Sequence, residues 1–139
     1  MHVQPYLFFE GRCEEAIEFY KKSLGATVNM LMRYKDGPPP PPDQNCAPPN
    51  PNAVMHANIR VGDSEVNCSD GQASGKQNFQ GFGLALTVAS TDDAQQKFGA
   101  LSDGGRVLMP LAKTFFSPSF GMVADKFGVM WMVLVQGQK

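Results

Sequence analysis

Apolar residues recur along this chain with two periods, and the alternation between them marks out its elements. Residues 3–9, "VQPYLFF", read as a strand, with Pro5 limiting it to an edge or an irregular start. In "CEEAIEFYKKSLG", Cys13, Ala16, Ile17, Tyr20 and Leu24 fall at helical spacing and form one stripe. Glu14 and Glu15 in its first turn and Lys21 and Lys22 near its last match the helix dipole, and Gly25 supplies a C-terminal cap. Residues 26–34 return to a strand. "VMHANIRV" (54–61) and "SEVNCSD" (64–70) predict a hairpin around Gly62-Asp63. "FGLALTVA" (82–89) is a strand. "STDDAQQKFGALSDGG" is a helix, capped by Ser90 or Thr91 and ended by Gly104-Gly105. "RVLMPL", "FFSPSFGMVA" and "VMWMVLV" are three further strands.

The order is strand, helix, three strands, and then the same again. "EEAIEFYKKSLGATV" and "DDAQQKFGALSDGGRV" hold equivalent places, each with an acidic pair, an Ala, an aromatic, a Leu and a Gly before a strand. This predicts an internal duplication, with module one at about 1–72 and module two at about 80–139. One helix across each sheet leaves the other sheet face free, and two such faces can curl around a cavity. Eight prolines between residues 35 and 52 interrupt module one, predicting an insertion at 36–53. An extended proline-rich loop of this kind could dock a protein partner, but growth at a loop tip is the simpler reading.

Composition narrows the function classes. The chain has 139 residues, 42% apolar and 18% charged, which suits a single domain with a real core. A net charge of −1 without any basic run argues against nucleic acid or an anionic membrane as partner. No apolar run approaches the ~20 residues of a membrane span. Three cysteines without a C-x-x-C spacing point to reduced thiols in a cytoplasm, with Cys13 and Cys68 buried and Cys46 exposed in the loop. Phosphate-loop, dinucleotide and nucleophile-elbow motifs are missing from the sequence.

Three stretches carry a family resemblance: "PYLFFEGRCEEAIEFYKKSLGA", "VMHANIRVGDSEVNCSDG" and "KTFFSPSFGMVADKFGVMWMV". The chain resembles the PhnB-like branch of the vicinal oxygen chelate superfamily, which includes glyoxalase I, bleomycin-resistance proteins and extradiol dioxygenases. The resemblance implies an α+β fold of two βαβββ modules, their sheets curled around a shared cavity in a single glyoxalase-like domain. It also implies a homodimer. Metal-dependent relatives place His, Gln or Glu ligands on the first and last strands of each module. Here those positions fall on Pro5, Gly83 and Met132, with Asn67 or Ser69 nearest on the remaining strand. A proline and a glycine offer no donor, and a thioether is too soft for the usual ion. The expectation is therefore no cofactor and no metal. A divalent ion in a site rearranged around Glu10, Asp70 and His2 is the alternative.

The remaining chemistry is sparse. Alternation in "VMHANIRV" sets Met55, Ala57, Ile59 and Val61 on one face and His56, Asn58 and Arg60 on the other. His56 is the candidate general base, although binding or structural duty as a hydrogen-bonded strand histidine is the favoured reading, because no partner acid or nucleophile stands at a known spacing. Phe115, Phe116, Phe120, Met122, Met130, Trp131 and Met132 concentrate aromatic rings and thioethers near the C-terminus, a lining suited to an apolar or planar ligand. The resemblance aims Met130 and Met132 at the cavity and, on the first strand, Leu7 and Phe9. The expected ligand pocket is Leu7, Phe9, His56, Asn58, Phe116, Met122, Met130 and Met132. The leading expectation is a binding protein for a small apolar or planar molecule. The rivals are a glyoxalase-type lyase or isomerase, with a rearranged metal or His56 as base, and a protein-interaction module built on the proline-rich loop.

Overall fold

The first helix, α1 (Cys13–Leu24), forms where the apolar stripe, acidic first turn and basic last turn coincide, and Gly25 closes it in the left-handed conformation. Its N-terminus has no side-chain cap of its own. Instead the buried Asp70 carboxylate, 57 residues on, accepts the Cys13 N–H at 2.8 Å and the Val54 N–H at 2.7 Å. One carboxylate thus ties the helix to the sheet beneath it. The second helix, α2 (Thr91–Ser102), starts at Ser90, whose hydroxyl accepts the Asp93 N–H at 3.1 Å.

The computed structural model describes residues 1–36, 50–71 and 74–136. Most of the proline-rich segment, with Cys46, lies outside the described residues. The chain divides into two compact units, Met1–Gln77 and Asn78–Lys139. In the first unit, β1 (Tyr6–Phe8), β2 (Thr27–Arg33), β3 (Val54–Val61) and β4 (Ser64–Ser69) form one sheet in the order β1-β4-β3-β2. In the second, β5 (Leu84–Val88), β6 (Arg106–Ala112), β7 (Phe120–Ala124) and β8 (Met130–Val135) form the order β5-β8-β7-β6. In each sheet the first strand runs parallel to the last, and the other pairings are antiparallel. Each unit is therefore one βαβββ module with its helix over one sheet face, the glyoxalase/bleomycin-resistance-like α+β fold.

Pro5 stays outside the ladder: β1 is an edge strand that begins at Tyr6, and the Pro5 carbonyl accepts the Asn67 N–H. "FFSPSFGMVA" is only half a strand. Its first half is a turn, because the buried Ser117 hydroxyl turns inward to the carbonyls of Ser119 and Val135, at 2.8 and 2.6 Å. Helix-side cores are built from Ala16, Ile17 and Tyr20 with Leu7, Ala57 and Ile59 in one unit, and from Ala94, Phe98 and Leu101 with Val123, Trp131 and Val133 in the other. Fully burying one of the larger apolar side chains is worth about 1.5–3 kcal/mol. Gly121 is required by close approach. A methyl there would stand 2.8 Å from the Phe98 ring and 3.0 Å from Leu111.

The turn before β8 is held by a buried carboxylate. Asp125 Oδ1 accepts the N–H groups of Phe127 and Val129 at 2.9 and 3.1 Å, and Oδ2 accepts the Trp131 indole N–H at 2.9 Å. Gly128 completes the turn at φ 92°, where an L side chain would be strained.

Candidate ligand-binding faces

Because strand side chains alternate, whatever does not face a helix is carried on the opposite face of each sheet. In the first unit that face is polar. Tyr6, Asn67 and Asn58 lie in one register row across β1, β4 and β3. A β-bulge between Val28 and Met30 turns Asn29 of β2 toward the same row. The amides form a chain: Asn29 donates to Asn58 at 2.7 Å, Asn58 to Asn67 at 3.0 Å, and Asn67 to Gln4 at 2.9 Å. Glu65 closes it at both ends, accepting from Gln4 at 2.8 Å and from Asn29 at 3.3 Å. A carboxylate can only accept, so Glu65 fixes the direction of every amide in the ring.

Beside this ring stands an aromatic group. Tyr6 and Phe8 stack with centroids 4.8 Å apart, both rings exposed. The Tyr6 hydroxyl lies 3.1 Å from His56 Nδ1. His56 and Asn58 thus sit on the face that alternation assigns them. Leu7 and Phe9 do not, which corrects the expectation for β1. Both are 1% exposed on the helix side, where Phe9 meets the Tyr20 ring at 6.2 Å and Leu7 sits in register with Cys68. Tyr6 and Phe8 occupy the open face instead. Cys68 and Cys13 are both buried under the helix. Their mutual hydrogen bond, then burial, pushes the Cys13 thiol above its ordinary range, which disfavours the thiolate.

In the second unit the face away from α2 is apolar. Met109, Met122, Met132 and Ala85 are in register across all four strands. Met130 lies on the same side of β8, and its methyl approaches Gly83. Phe116 lies in the turn before β7, half-exposed, with its ring edge-on to Phe120 at 5.0 Å.

The donor set does not fit a divalent ion. Of the positions the resemblance assigns to metal ligands, Pro5 and Gly83 offer no side-chain donor, Met132 a thioether, and Asn67 is spent in the amide ring. Among the described residues no group of three His, Cys, Asp or Glu side chains is placed to hold a metal. A polar cavity of about 380 Å³ beside α1 is lined by Glu14, Arg33 and Asp70. Its charges are spent on each other: Arg33 pairs with both Glu14 oxygens at 2.6 and 3.2 Å, and Asp70 holds two backbone N–H groups. No helix among the described residues is long and apolar enough to cross a membrane.

A family model described as 3-demethylubiquinone-9 3-methyltransferase matches residues 1–134. The chain belongs to this family. Within the 3-demethylubiquinone-9 3-methyltransferase family it is 36% identical to protein YjdN of Escherichia coli strain K12, across 100% of this chain and 98% of that one. Protein PA1353 from Pseudomonas aeruginosa is 35% identical, superposes with a TM-score of 0.82, and is covered to 99% on both sides. The PhnB protein from Bacillus cereus is 28% identical with a TM-score of 0.78, covering 97% of this chain and 99% of its own. A glyoxalase-related enzyme from Fulvimarina pelagi and a glyoxylase/bleomycin resistance protein/dioxygenase domain from Frankia sp. EAN1pec, each 16% identical with TM-scores of 0.59 and 0.61, share the fold.

Proposed function

We propose that the protein binds a small planar or apolar molecule on its open sheet faces, without a metal ion. The observation that carries this reading is the in-register row Met109, Met122 and Met132, completed by Ala85, on the face that α2 leaves uncovered. Thioethers adapt to irregular apolar shapes and contact aromatic rings favourably.

The free thiols of Cys13 and Cys68, in contact under α1, support a reducing cytoplasm as its compartment. The exposed apolar edge strand β6, with Val107, Leu108 and Met109, is the surface a homodimer would cover. A second reading, proton transfer in a lyase or isomerase, is favoured only by the Tyr6–His56 hydrogen bond. Turnover that is abolished by His56→Gln would establish it.

The test is thermal unfolding with 2-naphthol as a neutral planar probe. Saturation at a hundredfold over Kd stabilises the folded chain by about 2.7 kcal/mol, a shift of several degrees. Met132→Lys puts a charge in the methionine row and removes the shift. A shift that survives Met132→Lys unchanged rules out this face.

A further inference from the structure

The open face of the second sheet is apolar in an unusual way. Four of the chain's eight methionines, Met109, Met122, Met130 and Met132, lie on it. The helix-side face of the same sheet is built instead from Val123, Trp131 and Val133. A strand that needs only apolar bulk is better served by Val or Ile, which favour the extended chain and lose less rotamer freedom than Met. Three methionines in one register row supply what those residues lack, sulfur donors at adjacent positions.

A local irregularity completes the row. Val107 pairs with Val123, which is buried on the helix side, so regular pairing would set Leu108 against Met122. A register shift sets Met109 there instead, and bulges re-aim side chains in this way. Met122 stands directly opposite Met109 on one side and Met132 on the other, both on antiparallel neighbours. Cβ atoms of such pairs are about 4.5–5.5 Å apart. Each sulfur lies two bonds beyond its Cβ on an unbranched side chain, so rotamer changes alone can turn the flanking thioethers toward Met122. The next row on this face, Ala112, Phe120 and Leu134, offers no side-chain donor. Met109, 46% exposed, gives access from solvent. Neutral thioethers without imidazole or carboxylate favour a soft, singly charged ion over a hard divalent one.

We propose that Met109, Met122 and Met132 form a site for Cu(I), held by their three thioether sulfurs on the open face of the second sheet. This goes beyond the small-molecule reading above. The organic ligand needs no ion, and the ion takes the same row in its place. Thioethers carry no proton to release, so the affinity of this site does not follow pH, unlike capture by thiolate or imidazole.

The probe is silver(I), a soft ion of the same charge, added as its nitrate in chloride-free buffer. The chain carries carbon-13 methionine methyls and Cys46→Ser, so that a thiol outside the described residues does not compete. The methyl resonances of Met109, Met122 and Met132 are expected to shift together and to saturate at one ion per chain, while Met55 of β3 does not move. The affinity read from these shifts is expected to be the same at pH 5.5 and pH 7.5. Met122→Leu and Met132→Leu conserve volume, keep a melting temperature near the parent's, and each weaken silver binding at least tenfold. Row methyls that do not respond to silver, equal shifts with zinc(II), an affinity that follows pH, or binding indifferent to both variants overturns the proposal. A missing silver response beside 2-naphthol binding that depends on Met132 overturns this inference alone and leaves the small-molecule reading standing.

Discussion

Replacing Asp125 with Asn changes one atom and tests how the β7–β8 turn is held. The carboxylate accepts two backbone N–H groups on Oδ1 and the Trp131 indole N–H on Oδ2, at 3% exposure. An asparagine that keeps its oxygen on the backbone pair must present its NH₂ to the indole N–H, donor against donor. The buried indole is then left unsatisfied, which costs about 1–3 kcal/mol. The two remaining bonds lose their charge assistance, about 1 kcal/mol each, while relief from burying an anion offsets part of this. The net loss is about 2–4 kcal/mol. With a slope of about 2 kcal/mol per molar urea, the midpoint falls by about 1–2 M. Trp131 is the chain's single tryptophan and reports the transition by fluorescence. In a Trp131→Phe background, followed by circular dichroism, Asp125→Asn costs about 1–3 kcal/mol less, because the indole donor is gone. An Asp125→Asn midpoint indistinguishable from the parent, or an equal cost in both backgrounds, refutes the reasoning.

Gly121→Ala forces a methyl to within 2.8 Å of Phe98 and costs about 1–3 kcal/mol in thermal unfolding; a melting temperature equal to the parent's refutes the close approach. The Arg33 guanidinium, by its hydrogen bond and charge, holds the Glu14 carboxyl below its ordinary value of 4.5. A depressed carboxylate contributes stability above its unfolded pKa and loses it as pH falls through the folded one, so Glu14→Gln flattens stability below about pH 4.5 and changes its slope little near neutrality. Cys13 and Cys68 resist iodoacetamide at pH 8 in the folded chain and react after urea unfolding; peptide mass spectrometry that finds either alkylated in the native state contradicts the burial.

The elements were legible because their signals agree with one another. The stripe, the charged turns and Gly25 place α1 at Cys13–Leu24, and the alternation in "VMHANIRV" assigns both faces of β3. The first strand was not legible to one residue. "YLFF" is apolar at every position, so period-two alternation has nothing to choose between, and Leu7 and Phe9 are assigned to the wrong face. Only the contact of Phe9 with Tyr20 reveals the parity. The amide ring is a register effect. Gln4, Asn29, Asn58 and Asn67 are scattered over 64 residues, and a bulge in β2 is needed to bring Asn29 into line. The sequence does show Asn58 beside Arg60 and His56 on one strand face, but the partners that make them a surface come from three other segments. The methionine row was half visible: Met122 and Met132 stand among the C-terminal residues that the sequence singles out, whereas Met109 joins only through the irregular pairing of β6 with β7.

Metal-independent binding on the sheet faces is tested most directly by titrating 2-naphthol into the chain before and after exhaustive chelation, following Trp131 fluorescence. The affinity is expected to be the same in both samples, and lowered at least tenfold in both by Met132→Lys. Binding that disappears on chelation and returns with a divalent ion contradicts it.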